Sequence, residues 1–157
     1  MRLSQYSRAL WQFFCDTGSM RGRILHRTSM RFADAKGPWL ICVDDNEPAL
    51  RLRAAVLELH GFRVSQFTNE HDALDFLSKH QIDGAVVDYL MPEIMGNEFA
   101  STVRRTHPEL PIVLISGAID DPEDLGGADV FVSKSAGSRR LVEVLRQIFS
   151  KMGDTAA

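Results

Sequence analysis

The stretch Trp39-Leu40-Ile41-Cys42-Val43-Asp44-Asp45 is an unbroken apolar run that stops abruptly on two carboxylates. Such a run has the length of a strand buried on both faces, the kind found in parallel sheets covered by helices. A helix pattern follows at once. Asn46 is placed to cap it, Pro48 suits its first turn, and Gly61 ends it. Leu52, Ala55, Val56 and Leu59 recur at i, i+3, i+4 and i+7, so they are expected to form its apolar stripe.

The same alternation continues outward. Phe62 to Phe67 reads as a second strand, and Asn69 caps a helix whose stripe is Ala73, Leu74, Phe76 and Leu77. Ala85-Val86-Val87 is a third strand ending in Asp88, followed by a loop marked by Pro92 and Gly96 and a helix from about Asn97 to His107, stopped by Pro108. Ile112-Val113-Leu114-Ile115 is a fourth strand ending in Ser116-Gly117, and Val130-Phe131-Val132 a fifth ending in Ser133-Lys134. Ser138 then caps a last helix with Leu141, Val142, Leu145, Ile148 and Phe149 on one face, expected to stop near Met152. Parallel neighbours need a helical crossover, and right-handed crossovers restrict the topology, so the expected fold is α/β, a doubly wound five-stranded parallel sheet with helices on both faces.

Charge divides the 157 residues unevenly. Residues 1–37 hold 7 Lys/Arg against 2 Asp/Glu, and residues 38–157 hold 11 against 19, a basic head on an acidic body. An acidic body argues against direct nucleic-acid binding, which needs an excess of Lys and Arg. No apolar run approaches the roughly 18 residues of a membrane span. Two cysteines, Cys15 and Cys42, fit a reduced compartment better than a disulfide scaffold, and Cys42 reads as a small buried hydrophobe. His26, His60, His71, His80 and His107 are scattered, and none reads as a ligand.

In open α/β sheets ligands bind beyond the carboxyl ends of the strands. Asp44, Asp45, Asp88, Ser116 and Lys134 all fall there, from four different strands. Any one of them alone would read as a cap or turn residue. Three carboxylates held together repel one another and call for a positive partner, and a hard divalent cation such as Mg²⁺ suits oxygen ligands of this kind. That cation would let a carboxylate attack phosphorus, with Lys134 and the Ser116 hydroxyl on the phosphoryl oxygens.

The segments Val43-Asp44-Asp45-Asn46, Val87-Asp88-Tyr89-Leu90-Met91-Pro92 with Gly96, Ile115-Ser116-Gly117 and Phe131-Val132-Ser133-Lys134 resemble the receiver domain of bacterial response regulators, from about Pro38 to Phe149. The resemblance implies a flavodoxin-like sheet with strand order 2-1-3-4-5. It matches Asp88 to the phosphoacceptor, Asp44 and Asp45 to the acidic pair that binds Mg²⁺, and the Leu90 backbone carbonyl to the third protein metal ligand. Ser116 matches the hydroxyl that follows phosphorylation, Phe131 the aromatic switch and Lys134 the phosphate-binding lysine. The implied partners are a sensor histidine kinase or histidine phosphotransfer protein, and the implied role is a phosphoacceptor switch in the cytoplasm rather than an enzyme. An interaction module that keeps the fold without phosphorylation is the alternative. A phosphohydrolase would need a second aspartate two residues after the nucleophile, where Leu90 stands.

Three departures from the family pattern carry expectations of their own. Ser135 replaces the usual proline after the lysine, so a trans bond or a rearranged loop is expected, because a cis non-proline bond costs about 2.5–4 kcal/mol. Only 17 residues separate Ser116 from Lys134, and Ile119 to Gly127 has four acids, a proline and two glycines. A fourth helix there is expected to be short, which weakens the family's usual output face. Apolar Leu90 and Ala118 flank the site and cannot orient a water, so a long-lived phosphoryl group is expected.

The expected domains are a basic extension over 1–37, a receiver over 38–152 and a tail over 153–157, with no room for an output domain, so the effector would be a separate protein. Leu3, Tyr6, Leu10, Phe13 and Phe14 could line a short helix of the extension, docking on a partner or a membrane surface. The favoured reading is a disordered extension, or translation from upstream of a true start at Met20 or Met30. Leu10 to Phe14 is too short for a secretory signal.

Overall fold

The five expected strands form, with bounds within one residue of those expected: the third, fourth and fifth run one residue further, onto Asp88, Ser116 and Ser133. The computed structural model describes residues 37–117 and 122–154. The elements are β1 Trp39–Val43, α1 Glu47–Leu59, β2 Arg63–Phe67, α2 Glu70–Lys79, β3 Gly84–Asp88, α3 Gly96–Thr106, β4 Ile112–Ser116, β5 Val130–Ser133, a 3-10 turn Lys134–Ala136 and α4 Gly137–Asp154. All pairings are parallel, in the order β2-β1-β3-β4-β5. The chain therefore has the expected α/β architecture, and every strand delivers its carboxyl end to one edge.

Alternation along the strands splits the core. Ile41 and Val43 of β1 pack with Ala73, Leu77, Phe99, Ala100 and Val103 of α2 and α3. Leu40 and Cys42 face the other way, onto Leu50 and Leu57 of α1 and Leu141, Leu145 and Phe149 of α4. The helix starts are built as read: the Ala49 N–H donates to Asn46 Oδ1 at 3.0 Å and the Asp72 N–H to Asn69 Oδ1 at 2.9 Å.

Of the expected stripe of α1 only Val56 packs against the core. Leu50, Arg53, Ala54 and Leu57 are the buried residues, whereas Leu52 and Leu59 are 67% and 75% exposed and Ala55 is exposed as well. Apolar residues surround this helix almost completely, so two stripes satisfy the same spacing. The buried one contains an arginine, which apolar spacing alone does not pick out.

Three smaller differences follow. Ser138 is not the cap of the last helix, because the 3-10 turn runs directly into α4 and leaves Ser138 inside its first turn. That helix continues past Met152 to Asp154. Between β4 and β5, residues 122–129 run as turns and bends rather than helix; the rest of the short helix expected there, with Ala118, falls on residues 118–121, outside the described residues. The turns lie against α3, where Arg104 Nε donates to the Gly127 carbonyl at 2.9 Å and Arg104 pairs with Asp129 at 2.8 Å. The extension, with Cys15 and the Leu3 to Phe14 segment, also lies outside the described residues.

Candidate functional site

Asp44 is the buried centre of the carboxyl edge. It directly follows β1, its backbone N–H donates to the Phe67 carbonyl at 3.1 Å, and its side chain is fully buried. Oδ1 accepts the Asn46 N–H at 2.8 Å, so the residue that caps α1 also holds the aspartate. Oδ2 accepts from Arg53 Nη2 at 2.8 Å and from Lys134 Nζ at 3.3 Å. Asp45, the next residue, is exposed.

Asp88 closes β3 beside Ile115 and is 6% exposed. Its Oδ2 accepts from Lys134 Nζ at 2.9 Å. Burial raises the Asp88 carboxyl above its ordinary value; the Lys134 hydrogen bond opposes this, and the charge of Asp44 adds to the rise. Burial is the largest of these effects and decides the direction. Carboxylate oxygens of Asp44, Asp45 and Asp88 all lie within 4.8 Å of one another.

The loop after β3 is held close by a glycine. The Gly96 N–H donates to the Tyr89 carbonyl at 2.8 Å, and a Cβ at Gly96 would stand 2.2 Å from the Asp88 carbonyl oxygen. Any side chain there would push on the backbone that carries Asp88. Leu90 is 39% exposed, two residues beyond.

Ser116 is buried at the end of β4, paired across the ladder with Ser133. Phe131 is half-buried against the core on the α2 and α3 side. After Lys134 the chain turns without proline: the Ser135 N–H donates to Ser133 Oγ at 3.3 Å, the two hydroxyls are 2.7 Å apart, and the peptide bond is trans. A proline has no N–H to make that contact.

Asp44, Asp45, Asp88 and Lys134 are thus brought together, with Ser116 on the same edge. Arg53 is the member that sequence reading missed. The signal was present, a basic residue inside the stripe Leu50, Ala54 and Leu57. Cys42 is buried and inert, its thiol pushed up to about 12, chiefly by burial. A second grouping, Glu70, His71 and Glu93, lies with two of its three members exposed and has no further mark of a site.

This geometry is that of a receiver. The family model described as "Response regulator receiver domain" matches residues 40–146, and the chain belongs to that family. Among curated relatives, the response regulator SaeR of Staphylococcus aureus (strain USA300) is 26% identical over 117 residues, 72% of this chain and 51% of that protein. The chain spans about half the length of the curated relatives it matches. Among solved structures, a CheY-like receiver domain protein from Methanospirillum hungatei JF-1 superposes with a TM-score of 0.69 at 20% identity, covering 75% of this chain and 98% of that one. The response regulator TrrA from Thermotoga maritima, solved in complex with Mg(2+)-BeF, superposes with a TM-score of 0.67 at 25% identity, covering 71% of this chain and 99% of that one.

Proposed function

We propose that the chain is a phosphoacceptor switch of a two-component pathway, with Asp88 taking a phosphoryl group from a phosphohistidine on a sensor histidine kinase or histidine phosphotransfer protein. The observation that carries this reading is Lys134 Nζ, 2.9 Å from Asp88 Oδ2 and 3.3 Å from Asp44 Oδ2. A cation shared by two buried carboxylates at the ligand-binding edge is suited to follow a phosphoryl group. An oxygen of Asp88 attacks phosphorus, the P–N bond breaks with its electron pair left on the imidazole, and an acyl phosphate remains on Asp88. Lys134 and the Ser116 hydroxyl then donate to phosphoryl oxygens.

Three carboxylates against two cations, Lys134 and Arg53, leave an excess of negative charge, and exposed Asp45 opens the group to water. This donor set fits Mg²⁺, held by Asp44, Asp45, Asp88 and the Leu90 carbonyl. When bound, the ion neutralises charge on the transferring group. The Mg(2+)-BeF complex of TrrA supports the assignment.

On phosphorylation Ser116 and Lys134 are drawn inward, the loop after β4 moves, and Phe131 turns toward the space vacated. A separate effector protein reads the changed surface around β4 and β5, and neither nucleic acid nor membrane contact is part of the reading. The chain acts as a switch rather than an enzyme, undergoing only its own phosphorylation and slow loss of the group, in the cytoplasm. Among the described residues no helix is long and apolar enough to cross a membrane.

The test is incubation with acetyl phosphate and Mg²⁺, followed by intact mass. A base-labile adduct on the wild type and none on Asp88→Asn is expected. A wild type left unlabelled under conditions that label a known receiver would sink the switch and favour an interaction module working without phosphorylation. That second reading draws on the turns of residues 122–129, which lie where the family's output helix would be. An adduct persisting in Asp88→Asn would overturn the site, and rapid multiple turnover would point to a hydrolase.

A further inference from the structure

We propose that Arg53 is a built-in competitor of the divalent cation at Asp44 and sets the affinity of the site for it; this rests on the receiver reading above. Asp44 is already well supplied with donors. Its Oδ1 accepts the Asn46 N–H, and its Oδ2 accepts both Arg53 Nη2 at 2.8 Å and Lys134 Nζ at 3.3 Å. A carboxylate offers about four lone-pair sites, so three are taken. A metal that uses Oδ2 must displace one of the two cations.

Arg53 is the unusual one of the pair. Its side chain is 10% exposed, it sits in the buried stripe of α1 between Leu50 and Leu57, and Asp44 is the acid it reaches. Its Nη1 is buried without a hydrogen-bond acceptor among the described residues. A buried guanidinium with one arm unsatisfied is costly. What it accomplishes there is charge compensation: with Arg53 and Lys134 the three carboxylates carry one net negative charge, and without Arg53 they carry two.

The fold also provides space for displacement. Arg53 and Lys134 line a common cavity of about 160 Å³ between α1 and α4, with Ser133, Ser138 and Leu141 on its walls. A guanidinium released from Asp44 has room there. Arg53 is thus a positioning residue that acts through Asp44, keeping the pocket compensated when the metal is absent and weakening the metal when it is present.

The experiment is direct titration of the metal-free protein with Mg²⁺ by calorimetry and with Mn²⁺ by electron paramagnetic resonance, on the wild type, Arg53→Met, Arg53→Leu and Arg53→Lys. Loss of the charge is expected to tighten binding by about tenfold or more, while Arg53→Lys stays near the wild type. Thermal unfolding gives a second readout. The wild type is expected to show a smaller rise in melting temperature from EDTA to Mg²⁺ than Arg53→Met, which loses stability in EDTA and recovers it in Mg²⁺. Equal affinity in the wild type and Arg53→Met overturns the role of Arg53 and leaves the phosphoacceptor reading standing. Should both neutral variants fail to fold even in Mg²⁺, Arg53 is a structural counter-ion and the proposal is overturned. If no variant binds either metal, the proposal falls together with the Mg²⁺ part of the receiver reading, while acetyl phosphate labelling decides the rest.

Discussion

Lys134 Nζ stands 2.9 Å from Asp88 Oδ2, yet the Asp88 carboxyl remains above its ordinary value of 3.8 because burial outweighs the lysine. A carboxyl raised in the folded state binds its proton more readily there than in the unfolded chain. The charged form therefore works against folding, and this penalty sets in as pH rises through the folded value. Asp88→Asn removes it. The variant is expected to melt a few degrees above the wild type near neutral pH, with the gap closing as pH falls below about 4. Melting curves at several pH values check this, and a gap that ignores pH would contradict it.

Lys134 offers a complementary prediction. It neutralises two buried carboxylates at once, but its side chain is 33% exposed, so its contribution is well below that of a fully buried pair. Lys134→Ala is expected to cost about 1–2 kcal/mol in urea unfolding. It also raises the Asp88 carboxyl further, since the lysine hydrogen bond opposed the rise. Labelling by acetyl phosphate at neutral pH is then expected to slow by roughly tenfold or more. An unchanged labelling rate would remove Lys134 from the phosphoryl site.

Gly96 places the Asp88 backbone by contact rather than by charge. Because a Cβ there would lie 2.2 Å from the Asp88 carbonyl oxygen, Gly96→Ala must shift the loop after β3. We expect a loss of about 1–3 kcal/mol and slower labelling of Asp88. Gly61 has open space around the same added atom but a φ of +92°, so Gly61→Ala is expected to lose stability without touching the labelling rate. Comparing the two variants separates damage at the site from damage to the fold.

The two candidate stripes of α1 give the sharpest contrast between what the sequence discloses and what it hides. Leu57 is fully buried and Leu59 is 75% exposed, two residues apart on one helix. Leu57→Ala is expected to cost about 2–5 kcal/mol, and Leu59→Ala no more than about 0.5 kcal/mol, both read from urea midpoints. The strands were legible because a continuous apolar run has one interpretation in a covered parallel sheet. So were the aspartates, since a strand end names its own place in the fold. The stripe of α1 was not, because burial of Arg53 depends on Asp44, a partner nine positions away whose closeness only the packed structure supplies. The region between Ser116 and Lys134 was hard to read for another reason: residues 122–129 hold their place through Arg104 of α3, and local propensity carries no trace of that contact.

Leu90 bears on how long the proposed switch would stay on. It follows Asp88, the proposed phosphoacceptor, by two residues, is 39% exposed, and has a wholly apolar side chain. Hydrolysis of an acyl phosphate needs a water aligned with the phosphorus, and an apolar side chain offers it no hydrogen bond. The phosphoryl group on the wild type is therefore expected to last minutes or longer at neutral pH. Leu90→Gln supplies an amide that can accept from and donate to such a water, and is expected to shorten the half-life roughly tenfold. Because the substituted position is partly exposed, the change should leave the melting temperature nearly unmoved. Timed intact-mass measurements after removal of acetyl phosphate decide the matter: a wild-type half-life of seconds would show that another group already orients the water.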